Sequence, residues 1–334
     1  MTVPQKPGVS PWFQMCAIFK PVNMTVWIVL VILILASSCF AQSYFYKRKN
    51  YCVIGAFLGD RLTPASAERF SADYGKHPAI LLTFVDWGSY PDETAVHDVY
   101  GTGSVLMVTW EPWEAARKAT IDYDAVLAGK DDKYIREFAI QMRAIGKPVF
   151  LRFAHEMNGD WYPWSGQKIG GEKYRRLFRY IRKIFDSVGA GNVRWVFSIN
   201  AENVPGSNHF DLCYPGGSYV DYIGLDGYNW GGSRSWSQWR SFRETFSSVY
   251  KEAVRRYKKP VIISEFGTTS TGGDKARWVD EALREVKRMP AVKALVFFNV
   301  DKETDWKIVP GSEAGRALRN GLADPYFKES WTED

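Results

Sequence analysis

The sequence predicts a (β/α)8 barrel over residues 51–334, preceded by one N-terminal transmembrane or signal-anchor helix at 24–42. Three observations predict it. Eight short apolar, β-branched runs recur along the body, amphipathic stretches of helical spacing separate the later ones, and the ends of the runs collect carboxylates, amides and aromatics. Near-continuous apolar runs suit strands covered on both faces, and a parallel barrel gathers its functional side chains at the C-terminal ends of its strands. A doubly wound open sheet, the alternative, would carry a glycine-rich first turn, and neither G-x-G-x-x-G nor a P-loop occurs.

The elements follow in order. Residues 1–23 form a polar tail, and "MTVWIVLVILILASSCFAQ" (24–42) is uncharged with an unbroken apolar run from Val26 to Ala36. That is about the length a helix needs to cross a bilayer. A signal peptide cleaved before Gln42 is the alternative, but the long polar lead favours a retained anchor. In the basic linker 43–50, Lys47, Arg48 and Lys49 outweigh Lys6 and Lys20 before the segment, which by itself would keep the body inside the cell. Long domains translocate largely regardless of flanking charge, so the body is expected outside the cytoplasm, periplasmic or extracellular. The strand candidates are "CVIGAF" (52–57), "AILLTFVDW" (79–87), "SVLMVTW" (104–110), "PVFLRFAHE" (148–156), "VRWVFSIN" (193–200), "DYIGLDGYNW" (221–230), "PVIISEFG" (260–267) and "KALVFFN" (293–299). Helices are read in "DKYIREFAIQMRAIG", "EKYRRLFRYIRKIFDSVG", "WSQWRSFRETFSSVYKEAVRRY" and "DKARWVDEALREVKRM". Gly146 and Gly189 sit where helix-terminating glycines belong, and Pro148 and Pro260 open the strands that follow.

Composition narrows the function. Hydrophobic residues make up 46% and charged residues 24%, the mix of a globular protein with an ample core. The net charge of +6 is scattered along amphipathic segments, without the basic stripe or tail of a nucleic-acid-binding protein. Of the four cysteines, Cys16, Cys39, Cys52 and Cys213, only the last two lie in the body, and none has metal-ligand spacing. Two buried free thiols are expected. Fourteen tryptophans point to a groove lined with flat faces as well as to an aromatic core.

The chemistry concentrates in "RFAHEMNGDWYPW" (152–164). A zinc-binding H-E-x-x-H helix would need a second histidine where Gly159 stands, and the other histidines (His77, His97, His209) are scattered, so neither a metal nor a cofactor is expected. No G-x-S-x-G elbow is present. Paired carboxylates remain. Glu156 is placed at the end of the fourth strand and Glu265 at the end of the seventh, facing each other across the barrel mouth. A retaining glycosidase needs two such carboxyl groups about 5–5.5 Å apart, one as acid/base and one as nucleophile. The bland alternative for either is an ion pair with a rim arginine.

"RFAHEMNGDWYPW" together with "SEFG" (264–267) resembles glycoside hydrolase family 26, retaining β-mannanases and β-glucanases with a (β/α)8 fold. The resemblance covers residues 52 to 310 and implies Glu156 as acid/base and Glu265 as nucleophile. It further implies Trp161 lining the cleft near the scissile bond, Tyr228 donating a hydrogen bond to the nucleophile, and His155, which replaces the asparagine that other members of the clan carry before the acid/base, among the substrate-binding residues. Apolar neighbours such as Trp161 are expected to raise the pKa of Glu156. Trp87, Trp110, Trp164 and Trp230 are candidate sugar platforms, with core packing as the alternative for each. Mannanases of the family usually close the eighth strand with tryptophan; here Phe298 falls near that place, and "GGDKARW" resembles the lichenase-like branch. Mixed-linkage β-1,3/1,4-glucan is therefore expected ahead of β-mannan. A tethered glycanase without an appended binding module points to making, trimming or releasing a polysaccharide at the cell surface, with polysaccharide-synthesis machinery as a candidate partner. A non-catalytic, membrane-anchored polysaccharide-binding protein is the reading from another class, but it would be marked by loss of one glutamate, and both are present.

Overall fold

A computed structural model describes residues 51–332 except 60, 115, 117, 118 and 205–208; the 24–42 segment lies outside the described residues. Eight parallel strands close on themselves: β1 (Cys52–Phe57), β2 (Ile80–Asp86), β3 (Val105–Glu111), β4 (Val149–Phe153), β5 (Val193–Asn200), β6 (Tyr222–Asn229), β7 (Val261–Thr268) and β8 (Val292–Phe298). Closure is the β8–β1 ladder, from Val53 beside Ala294 to Phe57 beside Phe298. The helices of nine residues or more are α1 (Pro64–Tyr74), α2 (Glu93–Gly101), α3 (Asp132–Ala144), α4 (Gly171–Ser187), α5 (Phe242–Tyr257), α6 (Lys275–Val286) and α7 (Glu313–Leu322). Between β5 and β6 the described chain makes only a 3-10 turn, Phe210–Cys213. Among the described residues no helix is long and apolar enough to cross a membrane.

Local signals account for the element ends. Thr63 and Ser241 each close a capping box, and Asp92, Asp274 and Ser312 accept backbone N–H bonds at the starts of α2, α6 and α7. Gly146 and Gly189 adopt left-handed backbone (φ 66° and 74°) just beyond α3 and α4. Pro148 and Pro260 each stand one residue before a strand, where no ladder N–H is forfeited. Cys52 and Cys213 are buried free thiols.

Side chains alternate along a strand, and here the inward set becomes polar toward the C-terminal end. On β3 the series is Val105, Met107, Thr109, Glu111; on β4, Phe150 then Arg152; on β5, Val196, Ser198, Asn200. The lower layers form an apolar core that includes Val53, Leu82, Met107, Phe150, Val196 and Ile262. Trp331 packs onto its base, with ring centroids 4.7 Å from Phe150 and 6.0 Å from Tyr222. The upper layer is a nest of charges, and it carries the site.

Candidate active site at the barrel mouth

Glu265 stands on an irregularity in β7. Ile263 lies beside Leu225 of β6, but the next pairing is Glu265 with Asp226, so one extra residue is inserted in β7; the ladder to β8 shifts at the same place. A bulge lets consecutive residues aim to one side. Ser264 thereby donates to Asp226 Oδ1 (2.6 Å) while Glu265 accepts from Arg152 Nη1 (2.8 Å) and from the Tyr228 hydroxyl (2.7 Å).

Arg152 organises this layer. It is fully buried, donates through Nη2 to Asp226 Oδ2 (2.7 Å) and through Nη1 to Thr109 Oγ1 (2.8 Å) as well as to Glu265, and reaches Ser198 through Nε (3.2 Å). A guanidinium and two carboxylates without water would be costly unless every donor and lone pair were matched, and the surrounding hydroxyls supply that matching. Gly224 makes room for the cluster: a Cβ there would lie 2.3 Å from Ser198 Oγ and 2.7 Å from Ser264 Oγ. Burial, then the charge of Glu265, push the Asp226 carboxyl up, against the pull of Arg152 and the two serines.

Glu156 is positioned by other means. The sequence reading placed it on the fourth strand, but β4 ends at Phe153 and Glu156 lies in the turn beyond. Ala154 and Glu156 both take left-handed backbone (φ 49° and 52°), which turns the chain inward over the barrel. That conformation is unfavourable for residues with a side chain, and bonds on all sides hold it. Ala154 N–H donates to Trp110 O and Glu156 N–H to Ser198 O; Tyr174 and Trp164 donate to the carbonyls of Ala154 and His155. The Glu156 carboxyl, 7% exposed, accepts from Trp161 Nε1 (2.8 Å) and Asn200 Nδ2 (2.7 Å). Trp161 can fold back onto it because residue 159 is glycine: a Cβ there would meet the indole at 2.4 Å. Asn158, fully buried, ties the turn to β5 by donating to Asn200 O and accepting from Asn200 N–H.

Burial pushes the Glu156 carboxyl well above the usual range, and the charges of Asp226 and Glu265 push it the same way. The expected contribution of Trp161 is corrected here. Its indole supplies an N–H bond that favours the ionised form, so it moderates the rise instead of causing it. A third carboxyl, Glu111, accepts from Trp113 Nε1 (3.2 Å) and is raised by burial to about 7.

The proposed sugar platforms divide. Trp110 and Trp164 have no exposed face: Trp110 stacks on Phe138 (4.2 Å) and Trp164 on Tyr162 (4.2 Å), so neither can meet a sugar in this structure. Trp87 stacks on Trp110 (4.8 Å) and donates to Asp131, completing a column between barrel and α3. The reason is strand parity: Thr109 and Glu111 point inward, so Trp110 points out. Phe298 also packs inside, 4.7 Å from Phe57 and 5.7 Å from Tyr228, beneath the site and not on its surface. Trp161 and Trp230 keep accessible faces. His155 is buried among Phe84, Tyr162 and Trp164, with Nδ1 lacking a protein partner, and burial holds its pKa well below the usual value, so the ring is neutral.

Sequence reasoning assigned no role to Arg152, Asn158, Asn200 or Asp226, and it missed Trp306, which the loop after β8 brings 4.9 Å from Tyr228 and 4.7 Å from Trp230. Arg152 stands in the apolar run "VFLRF", which by itself does not separate a buried ion network from a surface charge.

Two cavities open here. One of about 1270 Å³ is lined by Phe57, Phe84, Asp86, Glu111, Trp113 and Lys302. The other, about 290 Å³, is lined by Glu202, Tyr228, Trp230, Trp236, Gln238 and Arg240, among others. Chemically, the mouth presents one carboxyl whose pKa burial raises and a second that a guanidinium and a phenol hold. Such a pair can divide acid and nucleophile between them. Among the described residues no cluster of three or more His, Cys, Asp or Glu is arranged to hold a metal ion.

The chain is similar to known proteins. The profile of Glycosyl hydrolase family 26 matches residues 105–267, which include both glutamates. Endoglucanase H of Acetivibrio thermocellus is 40% identical over 296 residues, 84% of this chain and 32% of that protein. A mannan endo-1,4-beta-mannosidase of Bacillus subtilis (strain 168) is 30% identical over 138 residues, 38% of this chain and 33% of that protein. The chain thus spans about a third of the length of these curated relatives. Among solved structures, a Cellulomonas fimi endo-beta-1,4-mannanase double mutant superposes with a TM-score of 0.64 at 18% identity, over 86% of this chain and 74% of the other. A family 26 beta-mannanase from Bacteroides ovatus gives 0.63 at 17% identity, over 84% and 91%.

Proposed function

The chain belongs to glycoside hydrolase family 26, and on that premise we propose that it is a retaining, endo-acting β-glycanase cutting mixed-linkage β-1,3/1,4-glucan in preference to β-1,4-mannan. The observation that carries the reading is the unequal holding of two buried carboxyls at one mouth, Glu156 by neutral donors and Glu265 by Arg152 and Tyr228.

In this mechanism Glu265 attacks the anomeric carbon while Glu156 gives its proton to the departing glycosidic oxygen. The raised pKa of Glu156 suits it to carry that proton near neutrality. The product is a glycosyl ester on Glu265. Glu156, now ionised, takes a proton from water as that water attacks the same carbon, and the second inversion restores the β configuration. Support for glucan over mannan is the 40% identity with Endoglucanase H and the phenylalanine, not tryptophan, that closes β8.

Release of reducing sugar from barley β-glucan and from galactomannan by the full chain tests the proposal. A higher kcat/KM on galactomannan would replace the substrate and leave the chemistry. No release from any β-glycan would favour a binding protein. Segment 24–42, uncharged, supports a further proposal, that the enzyme is held at a membrane with its barrel outside the cytoplasm. A reporter active only in oxidising compartments, fused after Asp334, should be active; activity confined to the cytoplasm would overturn it.

A further inference from the structure

We propose that Trp236 is a sugar platform on the leaving-group side of the cleft, beyond the sugar next to the cleaved bond, and that it makes the enzyme select extended chains. The proposal rests on the glycanase reading above. Its starting point is exposure. Among the described residues only two tryptophans are exposed, Trp161 at 45% and Trp236 at 68%, and both border the site. Single exposed apolar residues need no explanation, but this one forms a wall of a cavity that reaches the nucleophile's tyrosine. Trp236 lies 5.4 Å from Trp230, and Trp230 lies 6.2 Å from Tyr228, ring centroid to ring centroid.

The side of the cleft follows from the acid. The leaving oxygen must sit beside Glu156, whose partners are Asn200 and Trp161. Asn200 also accepts from Glu202 N–H (2.9 Å), and Glu202 lines the smaller cavity with Trp236. Neither cavity is lined by Trp161 or Asn200, but the smaller one is lined by Glu202, the partner of Asn200, whereas the larger is walled by β1, β2, β3, α2, Tyr162 and the loop after β8. The smaller cavity therefore serves the leaving portion and the larger one the portion retained on the enzyme. Trp161, bonded to the acid itself, borders the adjacent sugar, and Trp236 stands further out.

The loop holding Trp236 is built, not loose. Ser237 Oγ donates to Gly231 O (2.7 Å), Ser233 Oγ to Trp230 O (2.6 Å), Gly232 N–H to Thr271 O (2.9 Å) and Trp278 Nε1 to Arg240 O (2.9 Å). Arg240 and Glu202 pair across the cavity rim. An indole so fixed loses little freedom when a sugar stacks on it, and the same argument explains aromatic anchors at other binding surfaces. The polar loop side chains Gln238 and Arg240 are placed at the edge, where sugar hydroxyls would project.

Trp236→Ala in the full chain tests this with two substrates. One is barley β-glucan, or galactomannan should the wild type prefer it; the other is the matching 2,4-dinitrophenyl β-disaccharide, which places nothing at Trp236. Loss of stacking should lower kcat/KM on the polysaccharide about tenfold relative to the aryl glycoside. Transfer to an added disaccharide acceptor should fall in parallel. An equal loss on both substrates, or no change in either, overturns the proposal. Retained hydrolysis of the aryl glycoside certifies the fold of the variant. A wild-type enzyme inactive on both polysaccharides would instead defeat the glycanase reading itself.

Discussion

Glu156 and Glu265 have the same side chain, the same degree of burial and the same barrel mouth, yet their settings are opposites. Glu265 belongs to a strand and is aimed by a bulge, and its lone pairs face a buried guanidinium and a phenol. Glu156 belongs to a turn, is aimed by left-handed backbone, and meets an indole and an amide, neither of them charged. Arg152 bonds to one and not to the other. The lesson is that equal burial can come with opposite surroundings, one carboxyl among neutral donors and the other against a cation.

That contrast can be broken outright. Glu265→Ala removes the proposed nucleophile, and activity should fall at least about 10⁴-fold on polysaccharide and on a dinitrophenyl glycoside alike. Substantial turnover of the activated substrate by this variant would refute the assignment. Glu156→Ala should lose about 10²–10⁴-fold on polysaccharide, while the dinitrophenyl glycoside, whose leaving group needs no proton, still reacts and leaves a burst of trapped intermediate. Azide should restore turnover and yield a β-glycosyl azide; an α product would exclude double displacement.

Smaller changes sharpen the comparison. Arg152→Met leaves Asp226 and Glu265 buried without their cation, and chemical denaturation should show a loss of about 3–5 kcal/mol. Glu111 tests burial without a guanidinium. It is raised from 4.5 to about 7, so the folded state is favoured while Glu111 is protonated in both states and loses that advantage as pH rises from the lower value through the upper. Glu111→Gln cannot ionise; it should be more stable than wild type above pH 7 by on the order of 1–3 kcal/mol and indistinguishable at pH 4. The smallest effect is expected from Trp161→Phe. Deleting an N–H bond that favours ionised Glu156 should move the basic limb of the kcat/KM profile to higher pH, and a shift to lower pH would contradict the account.

Much of this is legible in the sequence. Eight apolar runs became eight strands because residues covered on both faces must be apolar on both, and the two glutamates stood where a barrel exposes its strand ends. Other features required the third dimension. Arg152 stands amid "VFLRF", and composition alone cannot separate a buried ion network from a stray surface charge. The bulge at Ser264 leaves no mark in "IISEF", since it arises from registers with β6 and β8. The turn at Glu156 hid because left-handed backbone normally announces itself with glycine, and here alanine and glutamate adopt it. Trp110, for which core packing was the alternative, is placed in the core by the alternation of Thr109 and Glu111 alone.

The left-handed pair Ala154 and Glu156 has a consequence for anyone seeking a hardier enzyme. Replacing Ala154 with glycine would relieve backbone strain, and a screen scored on heat survival alone would reward the change. It would also loosen the turn that points Glu156, the proposed acid, across the barrel. Selection for endurance and selection for turnover should part company at this corner, so libraries aimed at heat resistance are better spent on the outer helices.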